Sequence, residues 1–228
     1  MWLVARSAPM VALLLLTACA IPQVPHRAIY EDPVNYVRLE MDESVLEEWP
    51  PGHHAHPKGF SPEYMARILK GLTVKEHRIW LQKWIQGEAP LIPVFKAEEV
   101  ALLAPRIAEA FGAAKYNERV TFYLSEPQTS VKRVITSGGF YMQGEELHVV
   151  IGNWQMVYGI PTYGMIYDRR YPMRPTMAKG FDLFFEPAEA TVRHRSSLWD
   201  ALLANDKDEL IIDITRVGQS TASLRPAE

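Results

Sequence analysis

A single cysteine, Cys19, leaves this 228-residue chain without an internal disulfide, so whatever it folds into is held by an apolar core alone. The material for that core is present. Hydrophobic residues make up 48% of the chain against 22% charged, the balance of a folded protein rather than a disordered one. A chain of this length supports one sizeable core, or at most two small ones. The formal net charge of −3 argues against nucleic acid as a partner, because phosphate binding wants a clear basic excess.

Periodicity places the elements. Residues 34–41 alternate, with Val34, Tyr36, Val37, Leu39 and Met41 against Asn35, Arg38 and Glu40, which predicts a strand. Residues 49–60 begin a loop at Trp49-Pro50-Pro51. Ser61-Pro62-Glu63 is a helix start: serine can cap, proline suits the first position, and glutamate favours the positive end of the dipole. Tyr64, Ile68 and Leu72 follow at helical spacing, with Gly71 as the stop. Residues 73–85 fit a strand through Val74, Glu76, Arg78 and Trp80, and also a helix through Ile79, Trp80, Lys83 and Trp84. The strand reading is preferred. Residues 97–111 predict a helix with Val100, Leu103, Ile107 and Phe111 on one stripe, Gly112 as its cap, and a bend or break at Pro105.

The second half reads mostly as strands. Residues 119–124 form one. Residues 131–143 and 146–153 form a hairpin turning at Gly144-Glu145, with a bulge or bend at Gly138-Gly139. Residues 181–186, 189–194 and 209–217 are further strands, and 196–204 a short helix. Strands cluster after helices instead of alternating with them. The expected fold is therefore α+β, a single domain over 34–218 with a largely antiparallel sheet and about three helices, and a flexible tail over 219–228.

The N-terminus has a different character. Arg6 precedes the uncharged run Met10–Leu16, which is shorter than the ~20 residues a bilayer span needs. Charge, apolar run and small residues in that order read as a secretory signal. Leu16-Thr17-Ala18-Cys19 resembles the lipobox of bacterial lipoproteins and fills all four of its places. The resemblance implies cleavage after Ala18, a diacylglycerol thioether on Cys19, and a further acyl chain on the new amino terminus. Two or more chains give stable anchoring, at about 0.8 kcal/mol per buried methylene. Residues 1–18 are then a signal peptide, and 19–33, with Pro22, Pro25 and Pro33, a lipid-anchored tether. Ala20 is not the aspartate that favours inner-membrane retention, so in a two-membrane envelope the resemblance implies an outer-membrane lipoprotein facing the periplasm, and in a one-membrane envelope one that faces outward.

Three groups of residues are candidates for chemistry. His53, His54 and His56 bring three imidazoles within four residues and could supply part of a zinc or copper site, although the spacing matches no strong metal motif. Trp154, Tyr158, Tyr163, Tyr167, Arg169, Arg170, Tyr171 and Arg174 lie in a stretch read as a long loop. Aromatics there offer contact area at low entropy cost, and arginines read anions. The competing reading is a covering loop that closes the open face of the sheet. Acid–base and nucleophilic motifs are lacking: Ser137-Gly138-Gly139 has no preceding glycine for a nucleophile elbow, no phosphate loop appears, and His148 reads as a core histidine. No cofactor is expected. The reading is a non-enzymatic envelope lipoprotein that binds a protein or an apolar ligand at the membrane surface. The alternative is a metal-assisted hydrolase using the histidine loop. A carrier would have a deep apolar cavity in the sheet's curve, and an accessory subunit a filled core.

Overall fold

Among the described residues, alternation in the chain resolves into nine strands that pair antiparallel throughout. The computed structural model describes residues 24–45, 48, 52–159, 169–192 and 209–217. In chain order the first half holds β1 (His26–Glu31), β2 (Tyr36–Met41), α1 (Pro62–Gly71), β3 (Leu72–Glu76), α2 (Trp80–Gln86), β4 (Leu91–Pro93) and α3 (Ala97–Ala113). The second half holds β5 (Glu118–Thr129), β6 (Lys132–Gln143), β7 (Glu146–Gly159), β8 (Phe181–Phe185), β9 (Glu209–Asp213) and α4 (Ile214–Val217). A six-stranded sheet runs in the order β1-β2-β5-β6-β7-β9, and a three-stranded one in the order β4-β3-β8. This is the α+β single domain expected, with four helices rather than about three among the described residues.

The large sheet has two different faces. Val37, Leu39, Val120, Phe122, Phe140, Met142, Val149, Ile151 and Ile212 point to one side, where they meet Met65, Ile68 and Leu69 of α1 and Leu103, Ile107 and Phe111 of α3. Phe122 stacks on Phe140 and meets Phe95 edge-on, so this face is filled by rings and branched chains. The Ser61 hydroxyl accepts from the Tyr64 amide, 3.1 Å away, and starts α1 as its sequence requires. The other face carries Tyr36, Tyr123 and Ile135, with Met156 and Tyr158 against them. A strap, residues 169–176, crosses this second face. The Ser137 hydroxyl donates to the Pro172 carbonyl at 2.8 Å, and the Asn153 amide donates to the Arg174 carbonyl at 3.1 Å. Glycine is required beneath it: a Cβ on Gly139 would lie 2.6 Å from Met173 Sδ, and one on Gly152 2.5 Å from the Pro172 carbonyl. The covering-loop reading therefore holds for this segment.

Several boundaries differ from the sequence reading. The sheet begins at His26, inside the segment expected to be tether, because β1 finds a partner along the whole of β2. Residues 73–85 are not one strand: β3 ends at Glu76, where its pairing with Phe181 ends, and α2 follows. α3 runs past both Pro105 and Gly112 to Ala113. Residues 188–190 form a 3₁₀ turn rather than a strand, leaving a single bridge from Thr191 to Ile212. The closing strand stops at Asp213, whose carboxylate caps α4 by accepting from the Thr215 amide at 3.0 Å and the Thr215 hydroxyl at 2.6 Å. Cys19, the helix expected over 196–204 and the tail 219–228 lie outside the described residues.

Candidate functional site

β7 was expected to end near 153, with a loop from Trp154. It continues to Gly159 because two bulges interrupt its alternation without ending its pairing. Register shifts fall between Ser137 and Gly138 and between Ile135 and Ser137 of the partner strand, leaving Gly152 and then the Trp154–Gln155 pair as the extra residues. Gln155 sits at φ 45°, in the left-handed region that costs a non-glycine residue roughly 1–3 kcal/mol. Bulges of this kind re-aim side chains, and here they turn the end of β7 toward a cleft.

That cleft has a volume of about 540 Å³ and is lined from β7 by Gly152–Met156, with His77 and Arg78 after β3 and Phe181 of β8. Trp154 meets Phe181 edge-on, ring centroids 5.7 Å apart, and its indole nitrogen is buried without a hydrogen-bond partner among the described residues. His77 pairs with Asp182 at 2.9 Å. Arg78 donates to the carbonyl of Gly87 at 3.0 Å and so closes the C-terminal end of α2, where Gly87 adopts φ 73°. α2 brings Gln86 to the rim of the cleft and turns its apolar side chains outward. Trp80 is 77% exposed, Trp84 81%, Ile85 67% and Ile79 62%, with Leu81 beside them. This is the largest group of exposed apolar side chains among the described residues, and a soluble surface seldom leaves such a group bare without use.

Of the eight residues expected to form one recognition surface, the six described ones are spread over separate parts of the domain. Trp154 belongs to the cleft. Tyr158 packs on the cluster of Tyr36, Tyr123 and Ile135 on the other face. Arg169 lies over the Tyr36 and Tyr123 rings, 5.3 and 5.2 Å from their centroids, and its carbonyl accepts from the Tyr36 hydroxyl. These are packing roles. Arg170, Tyr171 and Arg174 stay together at the end of the strap, with the Arg174 guanidinium 4.6 Å and the Arg170 guanidinium 6.0 Å from the Tyr171 ring centre. Tyr163 and Tyr167 lie outside the described residues.

Tyr171 and Arg174 also line a second cavity, of about 470 Å³, over the strap face, with Val24, Glu40, Asp42 and Arg119 on its other walls. Glu40 is 3% exposed. Burial raises its carboxyl above the ordinary range, against smaller opposing effects of the Thr121 hydroxyl and of Arg119, His26 and Arg38. Asp42 differs. Burial would raise it, but the His54 ring, the Ser44 hydroxyl and amide, and Arg119 outweigh burial and hold it well below the usual carboxylate range.

The histidine loop is occupied by structure. His54 Nε2 lies 3.1 Å from Asp42 Oδ2, and its ring tilts on Tyr141 at 4.7 Å between centroids. Tyr141 in turn stacks on His148, whose Nδ1 is 2.9 Å from Glu209 Oε1. His56 packs on Phe111 and His53 on Tyr116. Main-chain bonds from the His54 amide to Tyr116 and from the Ala55 amide to Met142 stitch the loop to the sheet. The His54 and His56 rings meet edge-on, centroids 5.6 Å apart, while among the described residues no three His, Cys, Asp or Glu side chains converge as a metal site. The sequence reading missed α2 as an outward-facing helix. Its signal was there in Ile79, Trp80, Leu81, Trp84 and Ile85, five large apolar residues within seven positions. Compared with known proteins, the chain matches no family model, no curated protein and no solved structure.

Proposed function

We propose that this chain is a cell-envelope lipoprotein, anchored through Cys19, whose folded body is a non-enzymatic docking module for another envelope protein. The observation that carries the reading is the exposed apolar row of α2 set beside the cleft at the β7 bulges. Tryptophan at high exposure next to a concave, partly polar rim is the composition of a binding hot spot. The filled helix-covered face of the sheet favours docking over transport of an apolar ligand, since rings occupy the space a carrier would keep open. No observation favours the metal-assisted hydrolase. The lipobox supplies the anchoring half of the reading, and no helix among the described residues is long and apolar enough to cross a membrane in its place.

Two measurements test it. The mass of the mature N-terminal peptide is expected to carry acyl chains on residue 19, and a Cys19→Ser chain is expected to leave the membrane fraction. A photo-crosslinker at Trp84 in cells is expected to give one discrete protein adduct that the Trp80→Gln exchange abolishes. A smear of lipid adducts, or none at all, removes the docking reading.

A further inference from the structure

One register row crosses the large sheet from His26 through Glu40, Arg119 and Tyr141 to His148. Its Glu40 is a buried acid without a close ion pair among the described residues, with the Thr121 hydroxyl and the charges of Arg119, His26 and Arg38 around it. Arg119 stands beside Glu40 on the neighbouring strand, and Arg174 lines the same cavity. Arg119 reaches Asp42 at 3.7 Å and keeps Nε buried without a partner, and Arg174 lies over Tyr171 with Arg170 near the same ring. Guanidinium forks suit phosphate oxygens. Met41 and Met173 complete the wall with adaptable apolar surface. A cavity of about 470 Å³ is the size of a small-molecule site. Carboxylates of Glu40, Asp42 and Glu43 and guanidiniums of Arg119 and Arg174 line one cavity, a mixture that suits a ligand carrying both charges.

Position indicates where such a ligand comes from. Val24 lines the cavity and stands five residues from Cys19, a span of at most about 18 Å even when fully extended. Lipid headgroups of the leaflet that holds the anchor are therefore within reach.

We propose that this cavity binds a phosphoethanolamine headgroup, with Arg119 and Arg174 on the phosphate and Glu40 on the ammonium, and that its source is a lipid of the anchoring leaflet. The assignment of that source rests on the anchoring reading above. The charge pairing does not.

The test uses the full chain purified from envelopes in dodecyl maltoside and titrated with sn-glycero-3-phosphoethanolamine. This probe is expected to bind at least tenfold more tightly than sn-glycero-3-phosphoglycerol or inorganic phosphate. Glu40→Gln is expected to erase that preference. Arg174→Glu, at an exposed position that does not endanger folding, is expected to weaken binding at least tenfold while leaving the unfolding midpoint unchanged. A chain that fails to bind the probe, or that binds all three ligands alike, overturns the proposal, as does full affinity in Arg174→Glu.

A second arm distinguishes the sources. With vesicles in large excess, which retain a weakly held chain that isolated membranes lose on washing, the full Cys19→Ser chain is expected to float with vesicles containing phosphatidylethanolamine and to stay behind with vesicles of phosphatidylglycerol alone. Binding of the soluble probe without flotation overturns the lipid source. If residue 19 carries no acyl mass and the probe still binds with its Glu40 preference, the anchoring reading falls and the charge pairing stands. An acylated chain that ignores the probe does the reverse.

Discussion

His56 is an imidazole with no place for a second proton. Both of its ring nitrogens are buried without hydrogen-bond partners among the described residues, and Phe111 covers one side at 5.3 Å between ring centroids. Burial first, then the neighbouring His54, lowers its pKa from 6.5 to about 4. The folded state therefore binds a proton less readily than the unfolded one. Stability from this group is complete above pH 6.5 and is lost as the pH falls toward about 4. The thermal midpoint should be flat above pH 7 and decline across that window, and His56→Phe should flatten the decline. Coincident profiles for the two chains would place the imidazole in water instead. Glycines under the strap make an independent prediction. Gly152→Ala drives a Cβ to 2.5 Å from the Pro172 carbonyl, so it should cost about 1–3 kcal/mol in urea unfolding. Gly59→Ala, with nothing within 4 Å, is the matched control and should change little.

At the scale of elements, what was legible in the sequence is what local rules decide. The Ser61-Pro62 start, the apolar stripe of α3 and the hairpin turn at Gly144, which takes φ 59°, each rest on neighbours within a few positions. The β3–α2 region was not legible because a five-residue strand and a seven-residue helix are both too short for a period to assert itself. Trp154 was read as loop because bulges break alternation while preserving pairing, and only the partner strand reveals that. The cavity row through Glu40, Arg119 and Tyr141 was invisible for the same reason: three strands and their register bring those residues together. α2 also sets the energetic contrast between surface and core. Trp80→Gln with Trp84→Gln removes exposed rings, so each should shift stability by less than about 0.5 kcal/mol. Phe122→Ala, at zero exposure, should cost about 3–5 kcal/mol in the same denaturant series. A large loss from the tryptophan pair would mean that α2 is buried in the folded chain and is not a docking surface.

The whole molecule has two ends that the sheet keeps apart. His26, where the chain joins β1, shares a register row with His148 of β7, and Trp154 lies six residues further along that strand. Four strand spacings separate β1 from β7, about 19 Å at the usual 4.8 Å, and six residues add nearly 20 Å more. The anchor side and the cleft side are thus opposite corners of one rigid sheet. Seven residues from Cys19 to His26 reach at most about 25 Å, so the proposed anchor would hold the first corner to the bilayer and leave the second free to face away. The two proposed functions then divide cleanly, headgroup contact near the anchor and protein docking far from it. The lone native cysteine makes this measurable, since the proposed acylation would consume its thiol and leave any introduced cysteine as the sole site for a label. A fluorophore at Met41→Cys, beside the anchor-side cavity, should be quenched by nitroxide headgroup lipids in proteoliposomes of the acylated chain. The same fluorophore at Ile85→Cys on α2 should be quenched several-fold less. Equal quenching would lay the domain flat on the bilayer and make the α2 row a second membrane contact. Stronger quenching at 85 than at 41 would invert the molecule and remove the headgroup site from reach of its ligand.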